Sequence, residues 1–255
     1  DGSLLAEGQI HVFCLYEGEG EEMPIQWFEE TVPFSSVVEL DQSSEGMPSF
    51  TRMRLVHKDL EIKPDADGEL RELELDAVVE LDMKLYAEEP LELVEDLYAT
   101  DREINVIREE TKFDKILTNT TGKCKVTDRM KYDSSDRILQ ICHNDGQIKI
   151  DQTEVKEDGL EISGVLEVTF LYMTSDDKEP IRSGSDVIPF QYFIEVPGVD
   201  KESVWQLASE LEQLSSVMAG NDTIEVRAVL NLELLALQPV RCPVITEIQE
   251  KPLDM

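Results

Sequence analysis

Three histidines, four cysteines and 56 acidic side chains are the groups with which this chain of 255 residues could do chemistry. His11, His57 and His143 are scattered. His57 is followed by Lys58 and Asp59, yet nothing in the sequence places a nucleophile against them as a Ser-His-Asp site requires. There is no G-x-S-x-G and no G-x-x-x-x-G-K-[ST] phosphate loop. Carboxylates are so abundant that any pair could pose as a glycosidase dyad, so none is singled out. For zinc, Cys124, Cys142 and His143 are the candidates, with Cys14 or His11 joining only by accident of folding. Adjacent Cys-His is unlike the paired C-x₂₋₄-C spacing of structural sites, and ordinary core thiols are the plainer reading. Asp65-Ala66-Asp67-Gly68-Glu69 resembles the start of a calcium loop, but the third ligand and closing Glu are out of position, which leaves a hairpin turn. The expectation is a protein with no catalytic residue, no cofactor and no metal site, and not an enzyme.

Trp27-Phe28 are the candidate partner-binding aromatics, suited to carbohydrate or protein, with local packing as the blander account. The sequons at Asn119 and Asn221 have meaning only in a glycosylating host. Cysteines Cys14, Cys124, Cys142 and Cys242 lack the dense spacing of a disulfide framework and read as free thiols of a reducing compartment. Basic residues number 23, giving a formal net charge of −33. Such a surface repels phosphate, which argues against nucleic acid and anionic lipid and favours basic partners. No apolar run approaches the ~18 residues of a membrane span.

The elements that must carry these groups are repeated. With Gly8 placed over Gly164 and no gap, Gly8, Val12, Leu15, Tyr16, Pro24, Ile25, Pro33, Phe34 and Glu39 meet Gly164, Val168, Leu171, Tyr172, Pro180, Ile181, Pro189, Phe190 and Glu195. Nine identities fall in 33 columns, where about two are expected from residue frequencies. Each copy reads as a strand, an acidic turn (17–22; 175–179), a Pro-Ile and a strand opening on Pro-Phe. Trp27-Phe28 are replaced by Ser183-Gly184 in the second copy, so they lie outside the shared core.

A second block matches at a spacing five residues shorter. Leu73, Leu75, Ala77, Val79, Leu81, Met83 and Leu85 alternate with mostly charged residues, as Ile224, Val226, Ala228, Leu230, Leu232, Leu234 and Ala236 do on one phase. Period two sends these side chains to one face of a strand, whereas a helix would scatter them. Runs this long call for a bend or bulge. Pro64-Asp65-Ala66-Asp67-Gly68 and Ala219-Gly220-Asn221-Asp222 sit at equivalent turns. Trp205–Leu214 has helical propensity, but its counterpart near Met53–Ile62 reads as a strand, and the repeat decides. From this phase Leu15, Tyr16, Phe34, Leu75, Ala77 and Leu81 are expected in one core, and Leu171, Tyr172, Phe190, Val226, Ala228 and Leu232 in the other.

The motifs G-x-[apolar]-x-V-x-x-L-Y, an acidic turn, P-F-x-x-x-[VI]-E-[LV] and a long alternating strand occur as Gly8–Tyr16 with Pro33–Leu40, and as Gly164–Tyr172 with Pro189–Val196 and Gly198. Ile138–Ile141 and Gly146–Ile150 look like the leading part of the same unit. The pattern resembles the SPOCS domain of sporulation-associated and spore-coat proteins in endospore-forming bacteria. That resemblance implies an assembly or scaffold role, with a spore-coat morphogenetic protein as the candidate partner, and it offers no catalytic residues. The partner-binding LysM module found beside such domains has no counterpart in this sequence, so its contacts are not carried over.

The expected architecture is all-β with little helix: two tandem repeats of a β-sandwich or open-barrel domain, 1–100 and 101–255. The first is expected to lack its N-terminal strands, the natural protein continuing upstream of Asp1 with a segment like Lys112–Leu160. The expected function is a non-enzymatic scaffold of spore-coat or spore-envelope assembly, in the mother-cell cytoplasm and spore coat. The alternative is an extracellular carbohydrate- or surface-binding β module, if a signal sequence was removed.

Overall fold

A computed structural model describes residues 2–18, 25–40, 45–131, 137–220 and 223–252. These residues form ten strands and no helix: β1 Ser3–Glu17, β2 Ile25–Glu39, β3 Ser49–Pro64, β4 Leu70–Leu85, β5 Arg102–Lys131, β6 Ile138–Lys156, β7 Gly159–Thr174, β8 Ile181–Glu195, β9 Val204–Met218 and β10 Thr223–Pro252. All ladders are antiparallel and form four sheets: β1-β2, β3-β4, β6-β7-β8 and β5-β10-β9. The fold is therefore all-β, and the segment with helical propensity, Trp205–Leu214, lies within strand β9. Parts of two anticipated turns, 19–22 and 221–222, lie outside the described residues.

The repeat is a repeat of register. Gly8 faces Phe34 across β1-β2, and Gly164 faces Phe190 across β7-β8. In each pair the phenylalanine ring lies where a glycine Cβ would be. This explains why the motif couples a glycine in one strand to Pro-Phe in the next: the ring needs a partner without a side chain. At Gly164 the carbonyl of Lys149 on β6 crowds the same point, so any side chain there would push β6 away.

The second hairpin repeats down to its irregularity. Opposite β4, Leu55 pairs with Val79 and His57 with Val78, leaving Val56 as an extra residue on β3. Opposite β10, Leu211 pairs with Leu230 and Gln213 with Val229, leaving Glu212 extra on β9. The same step along the chain separates Gly8 from Gly164 and Val56 from Glu212. The bulge thus sits in the partner of each alternating run, not in the run, and lets a straight run pair with a more twisted neighbour. The five-residue difference between the copies falls in the hairpin turns. The turn after β3 is closed by Asp65, whose Oδ1 accepts the amides of Asp67 (2.9 Å) and Glu69 (3.0 Å), and by Gly68 at φ 87°.

Strands β5–β10 build one sandwich. Leu160, Ile162, Leu166, Val168, Phe170 and Tyr172 of β7 face the alternating apolar run Ile224–Ala236 of β10, and all are buried. Each central strand has two flanking strands, so both sheets are wide enough to cover each other. The seams are tight. Gly146 of β6 sits under Leu211 and Leu214 of β9, and Gly122 of β5 sits under Tyr192 of β8. Beyond the sandwich, Arg102–Ile116 continues with Leu237–Pro252 as a two-stranded ribbon, tied at its end by Arg102 donating to Glu250 (2.8 Å).

Strands β1–β4 repeat β7–β10, but β5 and β6 have no counterpart beside them among the described residues. Two compact units divide the chain, one holding Ser43–Pro90 and the other the remainder. In the former, β3-β4 is a two-stranded sheet whose apolar positions Leu73, Leu75, Ala77, Val79, Leu81, Met83 and Leu85 are only half-buried.

Three core expectations, at Leu15, Tyr16 and Leu171, need correction. Leu15 and Tyr16 are 40% and 43% exposed. Adjacent strand residues point to opposite faces, so both could not occupy one core. Leu15, like its half-buried counterpart Leu171, faces outward. Tyr16 has the inward phase of Tyr172, yet Tyr172 is 1% exposed and Tyr16 is not buried. Phe34, Leu75, Ala77 and Leu81 are half-buried. In urea unfolding, Leu232→Ala should cost about 2–5 kcal/mol and Leu81→Ala less than about 1.5 kcal/mol. Equal losses would mean that the first copy is as well covered as the second.

Candidate interaction surface

The side chains with chemical potential are not gathered. His11 Nδ1 lies 3.1 Å from Thr31 Oγ1 on the β1-β2 hairpin. His57 occupies β3 directly after the bulge. His143 stacks on Phe13 with ring centroids 4.1 Å apart and lies 3.0 Å from Glu29 Oε1, so it joins β6 to the β1-β2 hairpin. Among the described residues no group of three His, Cys, Asp or Glu side chains is placed to hold a metal ion. Asp65 is engaged with its own turn backbone.

All four cysteines are free thiols; Cys124 and Cys142 are buried, Cys14 and Cys242 half-buried. Desolvation pushes both buried thiols up from their ordinary values, partly offset at Cys142 by a backbone hydrogen bond at Met173. A thiol reagent should therefore label Cys14 and Cys242 in the native protein, and Cys124 and Cys142 only as the sandwich unfolds. Four equally fast thiols in the native state would contradict the burial.

Trp27 and Phe28 sit in β2 opposite Leu15 and Cys14. As neighbours they project from opposite faces and form no common patch. Phe28 is 37% exposed and leans towards Tyr16, ring centroids 6.2 Å apart, while Trp27 is half-buried.

The polar face of β5-β10-β9 carries a connected group of charges. Outward positions of β5 hold Lys123, Lys125, Arg129 and Lys131. Arg129 Nε donates to Glu225 Oε2 (2.7 Å) and Arg227 Nε to Glu225 Oε1 (2.6 Å), and these guanidinium bonds hold the Glu225 carboxyl below its ordinary range. Lys123 Nζ reaches across β10 to the bulge residue, donating to Glu212 Oε1 (2.6 Å). Further along β10, burial, and then the nearby Glu210 carboxylate, push the carboxyl of Glu233 up.

The corresponding face of β3-β4 is more acidic. Glu72, Glu74, Asp76, Glu80 and Asp82 occupy five of seven outward positions on β4, against Glu225 and Glu233 on the matched part of β10. Arg54 of β3 donates to Glu80 (2.9 Å) and Lys63 lies 3.6 Å from Glu74, but Asp59 stands directly opposite Asp76. Sequence reading missed this contrast because it tracked the apolar phase and left the intervening charges as solvated surface.

The fold and its duplicated register define a tandem β-repeat protein. The family model described as SipL, SPOCS domain, matches residues 1–63 and 137–235, more than half of the chain, and the chain belongs to that family. The two matches cover β1–β3 and then β6 into β10. No curated protein and no solved structure matches the chain.

The two glutamates set opposite pH dependences. Glu225, with a depressed folded pKa, contributes stability above the ordinary Glu range of about 4 that is lost as pH falls through its folded value. Glu233, with a raised pKa, weakens the fold increasingly as pH rises from the ordinary Glu range to its folded value and fully above it, and that penalty is absent in acid. Glu233→Gln should therefore raise the thermal midpoint at pH 7, and Glu225→Gln should lower it. Both differences should shrink towards pH 3, and a Glu233→Gln midpoint unchanged at pH 7 would contradict the burial of that carboxylate.

Proposed function

We propose that this chain is a non-enzymatic scaffold of spore-coat or spore-envelope assembly, acting through protein contacts of its repeated sheets. Family membership, which points to a sporulation-related protein, is the observation that carries the reading. On this reading the chain works in the mother-cell cytoplasm and at the spore coat, with a coat morphogenetic protein as partner and no cofactor. Two features of the molecule support a contact role. The shared residues fix backbone register through Gly8–Phe34 and Gly164–Phe190, and the organised charge lies on broad sheet faces, where extended protein surfaces dock. The carbohydrate-module alternative is weaker because a sugar-stacking platform needs its rings on one face, and Trp27 and Phe28 lie on two.

Fluorescently tagged chain expressed in a sporulating bacterium should gather at the forespore surface and co-purify with coat proteins. Diffuse fluorescence throughout sporulation, with recovery only of envelope polysaccharide, would overturn this reading.

A further inference from the structure

The β4 edge is where the molecule differs most from its own repeat. In the second copy, the matched strand β10 is sandwiched between β9 and β5. In the first, β4 pairs with β3 alone among the described residues. A two-stranded sheet with one apolar face is marginal in water, and an unpaired edge is a template for another strand. From Glu72 to Leu85, β4 contains no proline and no bulge of its own, the register shift beside Arg71 lying before it; its protection is charge, acidic at every charged position but Lys84.

The sequence of β5 shows what such a strand looks like when it is present. From Gly122 to Lys131 it alternates Gly122, Cys124, Val126, Asp128 and Met130 over the apolar run of β10 with Lys123, Lys125, Thr127, Arg129 and Lys131 over the polar face. Two of those cations meet carboxylates of β10 and β9, Arg129 at Glu225 and Lys123 at Glu212. Glu74 occupies on β4 the place of Glu225 on β10, and its neighbours Glu72, Asp76, Glu80 and Asp82 extend the acidic row where β10 carries fewer acids. The apolar positions of β4 that would meet the other phase of an incoming strand are half-exposed.

We propose that β4 is the acceptor for an antiparallel strand from a partner protein, one that alternates small or apolar residues with Lys or Arg. This rests on the reading that the chain acts through protein contacts, and it names the chemistry of one contact. Three features select that occupant: the open edge sets an extended backbone, the apolar face sets every second side chain, and the acidic row sets the charge of the others. A second copy of the chain fits less well. Antiparallel β4-β4 pairing would set carboxylates against carboxylates, and β5 of another molecule is already paired along its length with β10.

The probe is a labelled peptide of Gly122–Lys131 with Cys124→Ser, titrated into the whole chain by fluorescence anisotropy. Saturable binding is expected, with new hydrogen-exchange protection confined to β4 amides. A peptide of the same composition with its alternation scrambled should bind at least about tenfold more weakly, as should the original peptide against a chain carrying Glu74→Gln, Asp76→Asn, Glu80→Gln and Asp82→Asn together. These are exposed isosteric changes, and circular dichroism would show the sheet intact. Absence of binding, equal binding of the scrambled peptide, or protection on another edge would overturn the proposal. So would sedimentation showing the chain itself dimerising through β4. A failed peptide leaves localisation at the forespore untouched, so the two readings fail separately.

Discussion

The structure depends on one constraint: a strand with strict period-two alternation has an apolar face that must be covered by a second sheet at least as wide. Strand β10 satisfies it, because Ile224 to Ala236 lie under the inward side chains of β7, and all are buried. Width is what makes this work. With β5 and β9 on one central strand and β6 and β8 on the other, the two sheets overlap fully, and their edges close so tightly that Gly122 and Gly146 leave room for nothing more. Burying an apolar side chain contributes roughly 1.5–3 kcal/mol, so removing the flanking strands would forfeit more than any turn or ion pair could return. The matched run of β4 shows the same alternation and is only half-buried.

Charge is arranged around this core rather than spread evenly. A chain with 56 acids and 23 bases cannot pair most of its carboxylates, so the placement of its bases matters. Four stand on the outward phase of β5 between Lys123 and Lys131, over a sheet whose other strands carry Glu212, Glu225 and Glu233. Glu225 is almost fully covered yet remains ionised, because Arg129 and Arg227 replace the water it has lost. Glu233, covered without that replacement, is pushed the other way. The guanidinium groups set the sign at Glu225, where β5 supplies Arg129, and burial sets it at Glu233.

The strand phase and the repeat were legible because both are periodic signals carried by many residues. The repeat overrode the helical propensity of Trp205–Leu214, since tertiary pairing in a bulged strand outweighs a few tenths of a kcal/mol per residue of propensity. What was not legible was cover. Leu15 and Tyr16 look like core residues in both copies, yet Leu15 has the wrong phase and Tyr16 is far more exposed than Tyr172. No local pattern reveals whether a second sheet lies above a strand. The same limit applies to Trp27-Phe28: adjacency in sequence suggested one patch, and the pleat sends the rings to opposite sides. The contrast between the acidic row of β4 and the mixed face of β10 was present in the letters, but became meaningful only once β5 was seen lying on β10.

Comparison of the two copies separates what the fold requires from what it leaves free. Gly8 and Gly164, Phe34 and Phe190, and the bulges at Val56 and Glu212 hold the same register, and a change at any of them would move a ladder. The outward positions differ in kind: Trp27 and Phe28 against Ser183 and Gly184, Asp76 against Arg227, Glu80 against Asn231. The three histidines also stand at non-equivalent places: His11 beside Thr31, His143 on Phe13, and His57 directly after the bulge of β3. Constancy of backbone with divergence of surface suits a scaffold whose copies meet different neighbours. On that view the acidic row on β4 is a specificity element, since it disfavours acidic strands, including β4 itself, as strongly as it attracts basic ones.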